Sequence, residues 1–394
     1  MMRRRIAVVT THPIQYQAPW FRALAARDEV ELKVFFCHEA TAEEQASAGF
    51  GVKFDWDVPL LEGYDYSFLK NVAARPTIGN FNGLDTPEIA DIIKRERYDA
   101  VIVNGWHFKS AWQAFRACWR EGTPVMARGD STLYNQRDAL KRILKWPYYR
   151  WFIPKLDACL AVGTWSRNYY LHYGARPDRI FIVPHVIDDK FFARESVRLE
   201  GERAVIRAGW ELDRECTVFL FAGKFIAVKR PMDFVRAVEQ AAALGARVAG
   251  LMAGDGPLRA DCEEYARSRG VPIRFAGFLN QSEIARAYVA SDALVLASAS
   301  ETWGLVVNEA MACGRPCLVS DMVGCGPDMI LKGETGDIFK TGEVDELAQL
   351  MSDYSLKGAR LQAMGERARE MAASYSVEVA VEGALRAVRA VGRA

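Results

Sequence analysis

Residues 293–321 read ALVLASASETWGLVVNEAMACGRPCLVSD, and three segments are legible in them. ALVLAS is a short apolar run of the kind that forms a buried strand, and residues 304–313 carry a helical pattern. Gly314 and Pro316 then close the helix before PCLVSD starts a second apolar strand. Strand, helix and strand over so short a length make a parallel βαβ unit.

The same style extends outward in both directions. RIAVVTT, VELKVFF, AVIVNGW, TPVMAR, ACLAVG and IFIVPHV read as strands of the first half. Helical patterns lie between them at 17–28, 108–120 and 164–173. TVFLFAG, ARVAGLMAG, IRFAGF, ALVLAS and PCLVSD repeat the pattern in the second half, with helices near 231–244, 258–269, 281–290 and 304–313. The fold class is therefore α/β, with two doubly wound, Rossmann-like parallel-sheet domains expected to face each other across a cleft. Boundaries are expected at 1–195 for the first domain and 196–375 for the second, with 188–216 as linker plus a first helix. A last helix, 376–392, is long enough to cross back onto the first domain.

Composition narrows the class. Half of the 394 residues are apolar, enough for two cores, and 51 basic residues nearly cancel 50 acidic ones. No charge asymmetry points to nucleic acid. The eight cysteines lie scattered in apolar runs without zinc-site spacing; Cys313 and Cys317, in CGRPC, read as a helix exit. MMRRRIAVV lacks the apolar core of a signal peptide, so a cytoplasmic protein is expected.

Ligands of open α/β sheets sit at the carboxyl ends of strands. The first such loop, TTHPIQYQAP, has no Gly-x-Gly-x-x-Gly, and no P-loop lysine motif occurs anywhere, which argues against a dehydrogenase or a P-loop ATPase. In FLFAGKFIAVKRP, Gly223 and Lys224 follow a strand directly and Lys229 comes five residues later. Surface lysines are common, but two cations beside a glycine at a strand end suit a diphosphate. In the helix that follows LVLASASETW, the first free amides fall at about Trp303, Gly304, Leu305 and Val306, with glycine allowing close approach of an anion. Glu309 lies five residues beyond Gly304, ~7.5 Å along a helix axis, about the offset from a diphosphate to its ribose, whose hydroxyls a carboxylate can accept. Glu301, repelled by phosphate, should point past it toward the hydroxyls of the attached group. An isolated pair of acids would more simply be a helix cap and a solvated side chain; the two lysines and Gly304 favour the ligand reading.

ETWGLVVNEAMACGRPCLVSD resembles the Glu, seven residues, Glu signature of retaining nucleotide-sugar glycosyltransferases of family 4, which have the GT-B fold. FAGKFIAVKRP is similar to that family's phosphate segment, with Lys224 where arginine is more usual. MAGDGP, FAGFLNQSEIARAYVASDALVLAS and GETGDIF follow in the family's order, so the resemblance is dense over 217–340. It implies a nucleoside diphosphate sugar donor, no metal and no cofactor, with base recognition near Phe278. His107, in VNGWH, is placed like the family histidine that contacts the donor sugar, although a lone histidine is commonly structural. The resemblance further implies front-face transfer with retention, in which Lys224, Lys229 and the amides near Gly304 stabilise the departing diphosphate and Glu301 holds sugar hydroxyls. Gln15, Tyr16, Gln17 and Arg128 are candidates on the acceptor side, where the first loop departs from the family's usual Gly-Gly pair.

Two further segments bear on partners. Asp55-x-Asp57, in FDWD, has the spacing of a metal chelate, but it is only a three-residue pattern and is assigned to the first domain, away from the diphosphate site. RDALKRILKWPYYRWFIPK, 137–155, interleaves basic and aromatic residues on a helix expected to stop at Pro147. It suits either an anionic membrane surface or a helix packed on its own domain with a solvated basic face. The acceptor is expected to be a glycan or a lipid-linked molecule of surface-polysaccharide or glycoconjugate synthesis. A GT-B sugar-nucleotide 2-epimerase and a non-catalytic nucleotide-sugar binder are the alternatives; donor turnover separates the latter.

Overall fold

Strand β1 (Arg4–Thr10) has the two-residue alternation that builds a sheet with a core on each face: Ile6 and Val8 enter one, Ala7 and Val9 the other. The structure is a computed structural model and describes residues 3–39, 54–134 and 139–391. It divides into two units.

The first unit holds Pro59–Val186 with the chain before residue 40 and from Ser376 on. Its strands are β1, β2 (Val30–Phe36), β3 (Asp65–Phe68), β4 (Ala100–Asn104), β5 (Val125–Gly129), β6 (Ala158–Ala161) and β7 (Ile180–Ile182). They pair in parallel in the order β3-β2-β1-β4-β5-β6-β7, so the order reverses between β1 and β4. One face packs Phe35, Phe115, Phe152 and Tyr170; the other packs Trp20, Phe21, Met126 and the helix Val377–Val391 through Val381, Leu385 and Val388. That helix lies close to β7: a Cβ on Gly383 would stand 2.1 Å from the carbonyl oxygen of Ile182. Ion pairs Arg389–Glu29 at 2.6 Å and Arg27–Glu382 at 2.9 Å flank it.

The second unit holds Ile187–Tyr375 together with the described residues 54–58. Its strands are β8 (Thr217–Ala222), β9 (Val248–Ala253), β10 (Ile273–Gly277), β11 (Ala293–Leu296), β12 (Cys317–Ser320) and β13 (Gly336–Phe339), parallel in the order β10-β9-β8-β11-β12-β13. The reversal here falls between β8 and β11.

Several expectations are revised. The division comes at Val186, not 195, and 188–216, expected as linker plus a first helix, holds two helices. It forms helices Asp189–Glu200, capped by Asp188 accepting from the Phe191 amide at 3.0 Å, and Arg203–Gly209. Buried Arg207 ties the second of these to Ala290 O at 2.8 Å and Asp292 at 2.6 Å. Asp55 and Asp57 belong with the second unit: Asp55 O accepts from Asn280 Nδ2 at 2.8 Å, and Asp57 accepts from the Ser282 amide at 3.1 Å, at the start of the helix Gln281–Ala290. A carboxylate there meets free helix amides, which gives Asp57 a capping role. Among the described residues no group of three or more His, Cys, Asp and Glu side chains is placed to hold a metal ion.

The helix Ala139–Phe152 runs through Pro147. Proline costs the helix one bond to residue 143, which is exposed, so water can satisfy that carbonyl. Tyr149 and Phe152 meanwhile anchor the next turn in the core.

Candidate functional site

The site begins with backbone. At the end of β8 the Gly223 amide donates to Ala253 O at 3.0 Å, and the Phe225 amide donates to Asp255 O at 2.8 Å. Gly254 has φ 130°, and a Cβ on it would lie 2.0 Å from the carbonyl oxygen of Gly223. Gly256, at φ 147°, would put a Cβ 2.9 Å from the Phe225 backbone. The loops after β8 and β9 therefore touch main chain to main chain, which explains both glycines of MAGDGP.

That packing sets Lys224 at the carboxyl end of β8, half-buried. Burial lowers its pKa, the nearby Lys229 charge adds to the effect, and Glu301 opposes it. Lys229 closes the turn Ala227–Lys229 and forms an ion pair with Glu301; both side chains are about four-fifths buried. The turn is fixed to the end of β11 by a 2.7 Å bond from the Ala299 amide to Val228 O. Glu301 is held in turn by a small bridge to Val323, its amide donating to Met322 O and its carbonyl accepting from Gly324, each at 3.0 Å. A Cβ on Gly324 would strike Thr302 O at 2.0 Å. Lys224, Lys229 and Glu301 are thus one electrostatic cluster at the point where the sheet order reverses, where α/β folds bind ligands.

Gly304, at φ 109°, precedes the helix Leu305–Ala312. Leu305 and Val306 are half-buried, and their amides, first in the helix, precede any intrahelical acceptor. Glu309 lies on the same helix. Tyr288 Oη donates to its Oε2 at 2.6 Å, and among the described residues no group donates to its Oε1. Burial pushes the Glu309 carboxyl up to about 7, against the pull of Tyr288.

Trp303 does not join the ligand-facing set through its side chain. It is buried, its Nε1 donates to Asn308 at 2.9 Å, and its ring lies 5.7 Å from that of Tyr375, so it braces the helix start from behind. Phe278 follows Gly277 at the end of β10, and its ring centre is 4.5 Å from that of Phe54. Tyr288, Asn308 and Phe54 were not legible as site residues: Tyr288 and Phe54 act through partners distant in sequence, and Asn308 through the Trp303 indole five residues before it.

The first unit carries the remaining candidates at the ends of β1, β4 and β5. Arg128 is not an open binding residue: it is 4% exposed, donates to Pro184 O at 2.6 Å and stacks over Trp20. Gln17 is buried and accepts from Thr10 Oγ1 at 3.0 Å. Tyr16 meets the His185 ring edge-on at 5.6 Å, and burial pushes its phenol up to about 12. His185 lies 3.6 Å from Asp130, with burial lowering its pKa. His107 is exposed on the loop after β4. Gln15 Oε1 and both side-chain polar atoms of Asn104, on neighbouring strand ends, are shielded and make no hydrogen bond. Asn104 and Asp130 could have been found by the rule that selected the others, since one ends and the other directly follows a strand, and His185 lies three residues past the end of β7.

Two parallel α/β units, the second with a cationic cluster and a helix start at its reversal point, define the GT-B class of glycosyltransferase architecture. The family described as Glycosyltransferase Family 4 matches residues 21–191, and that described as Glycosyl transferases group 1 matches 202–371. D-inositol 3-phosphate glycosyltransferase of Rhodococcus jostii is 31% identical over 98% of this chain and 89% of its own. N-acetyl-alpha-D-glucosaminyl L-malate synthase of Bacillus anthracis is 31% identical over 56% of each. Among solved structures, a glycosyltransferase from Rickettsia africae superposes with a TM-score of 0.74 at 16% identity, covering 99% and 98% of the two chains. Anabaena HepE in complex with UDP gives 0.70 at 14%, covering 98% and 99%. The chain belongs to the family 4 glycosyltransferases.

Proposed function

We propose that this glycosyltransferase moves a sugar from a nucleoside diphosphate donor, UDP- or GDP-linked, to a glycan or lipid-linked acceptor, with retention at the anomeric carbon. The observation that carries the reading is the grouping of Lys224, Lys229 and the Gly304 helix start at the reversal point of the second sheet, with Glu309 on the same helix. The UDP complex of HepE, a protein of the same fold, supports a nucleotide-sugar donor.

In this reading the diphosphate lies against Lys224, Lys229 and the amides of Leu305 and Val306. Glu309 accepts from the ribose hydroxyls through the oxygen that Tyr288 leaves open. Glu301, released from Lys229 as phosphate takes that ammonium, turns to the sugar hydroxyls. The acceptor oxygen bonds to the anomeric carbon on the face the diphosphate leaves, and its proton passes to the departing phosphate oxygen. Stabilisation of that leaving group is the main catalytic effect, and no metal or cofactor is assigned a part. Gln15, Tyr16 and Asn104 are proposed to serve the acceptor. The eight free thiols support a reducing, cytoplasmic setting. The test is donor turnover: release of free nucleoside diphosphate from a panel of UDP- and GDP-sugars, with the anomeric configuration of the product read by NMR. An inverted product would overturn retention, and no release from any donor would overturn the activity.

A further inference from the structure

The helix Ala139–Phe152 is anchored on one side only. Phe152, fully buried, has its ring centre 4.6 Å from that of Trp112 and 5.1 Å from that of Phe115, and Tyr149 packs on Tyr173 at 5.1 Å. At about 100° per residue, Ile143, Leu144, Pro147 and Trp151 fall within an arc of roughly 100° on the opposite side. All four are exposed: Ile143 by 68%, Leu144 by 69% and Trp151 by 50%. Trp146 and Tyr148 extend the patch on either flank. Ile143, Trp146 and Pro147 also border a hollow of about 570 Å³ with Leu133 and His172. Single exposed apolar residues are ordinary, but a contiguous set on one helix marks a contact surface.

The charge on this surface has one sign. Residues 139–155 include five basic residues and no acid. The exposed basic groups stand beside the exposed indoles: Lys155 Nζ is 4.2 Å from the Trp151 ring centre, and Arg150 is 5.6 Å from that of Trp146. A second copy of the chain is a poor occupant, because a twofold contact would set Lys145, Arg150 and Lys155 against their own copies. An anionic bilayer fits both features, taking the aliphatic and indole groups into its interface and the cations against its phosphates.

We propose that the face of Ile143, Leu144, Trp146 and Trp151 is a docking surface for an anionic phospholipid bilayer. It belongs to the first unit and stands independently of the donor reading. The test is flotation of the purified full chain with vesicles of phosphatidylcholine alone and of phosphatidylcholine with one-third phosphatidylglycerol. Binding is expected to the anionic vesicles, and to be released by salt at about 0.5 M, where charge is screened over a few ångströms. The double variant Ile143→Asp/Leu144→Asp should lose at least roughly tenfold in vesicle affinity, with its melting temperature and nucleotide binding unchanged. Absence of binding to anionic vesicles, or equal binding by the variant, overturns the proposal. So does a dimer in sedimentation that the variant dissolves, since the face would then belong to a second copy.

Discussion

Lys229 and Glu301 form an ion pair at the carboxyl ends of β8 and β11, so the side chain proposed to grip phosphate is held by the one proposed to grip sugar. The pair keeps a cation and an anion fixed before any ligand arrives. A phosphate must compete with Glu301 for Lys229, and Glu301 becomes available as it does so.

Glu301→Gln is therefore expected to bind free nucleoside diphosphate more tightly, by roughly fivefold for a coupling on the order of 1 kcal/mol, while slowing sugar transfer. Calorimetric titration and a turnover assay on the same preparation check the two signs. Weaker diphosphate binding in this variant would contradict the competition.

Lys229→Gln should have the reverse effect. It removes one phosphate partner and leaves Glu301 without its cation, so diphosphate affinity should fall by at least roughly tenfold. Lys224→Gln should cost less, because burial, with the Lys229 charge second, already lowers the Lys224 pKa and disfavours its ammonium form. Titrations of both variants against the parent protein order the two losses.

Glu309 makes stability and binding respond to pH in opposite senses. Its carboxyl, raised to about 7 in the fold against about 4.3 in an unfolded chain, holds a proton in the folded state between these values. Stability contributed by this group is therefore present below about 4.3 and declines as pH rises to about 7. Glu309→Gln should lose that decline and gain on the order of 1 kcal/mol at pH 8, by urea denaturation. Ribose binding needs the ionised form, so nucleotide affinity should rise by up to roughly tenfold between pH 6 and 8 in the parent protein beyond any rise in the variant.

Gly254 and Gly245 both have positive φ, but only Gly254 faces a backbone at 2.0 Å; nothing lies within 4 Å of a Cβ at Gly245. Gly245→Ala should cost about 1–2 kcal/mol from backbone conformation alone. Gly254→Ala should cost more than about 4 kcal/mol or prevent folding, as the loops after β8 and β9 must part. Equal costs in urea melts would show that the two loops move apart freely.

The second sheet was legible because its strands are nearly continuous apolar runs punctuated by glycine, and its helices begin or end at Pro231, Asn280, Gly304 and Gly314. What escaped the sequence was short or edge-placed. β3, reading DYSF, and β13, reading GDIF, are four residues each and lack an alternating pattern long enough to read. Site residues named from strand ends fared according to their neighbours. Lys224 and Lys229 share one local stretch and Lys229 meets Glu301 by an ion pair across 72 residues, whereas Arg128 is claimed by the Pro184 carbonyl 56 residues on and Trp303 by Asn308 little more than a helical turn away. Position after a strand could propose a residue for the site, but not exclude a structural partner. Asp57 shows the same limit: only the fold reveals that it caps a helix of the second unit.

The most direct measurement is calorimetric titration of UDP, GDP and ADP into the parent protein and into Glu309→Ala. The account predicts that at least one of the three binds the parent protein at a single site, and that the variant binds the same nucleotide at least roughly tenfold more weakly, a loss of about 1.4 kcal/mol or more. Equal affinity in the two proteins would contradict the assignment of Glu309 to the ribose, and no binding of any of the three nucleotides to the parent protein would contradict the claim that the ends of β8 and β11 hold a nucleoside diphosphate.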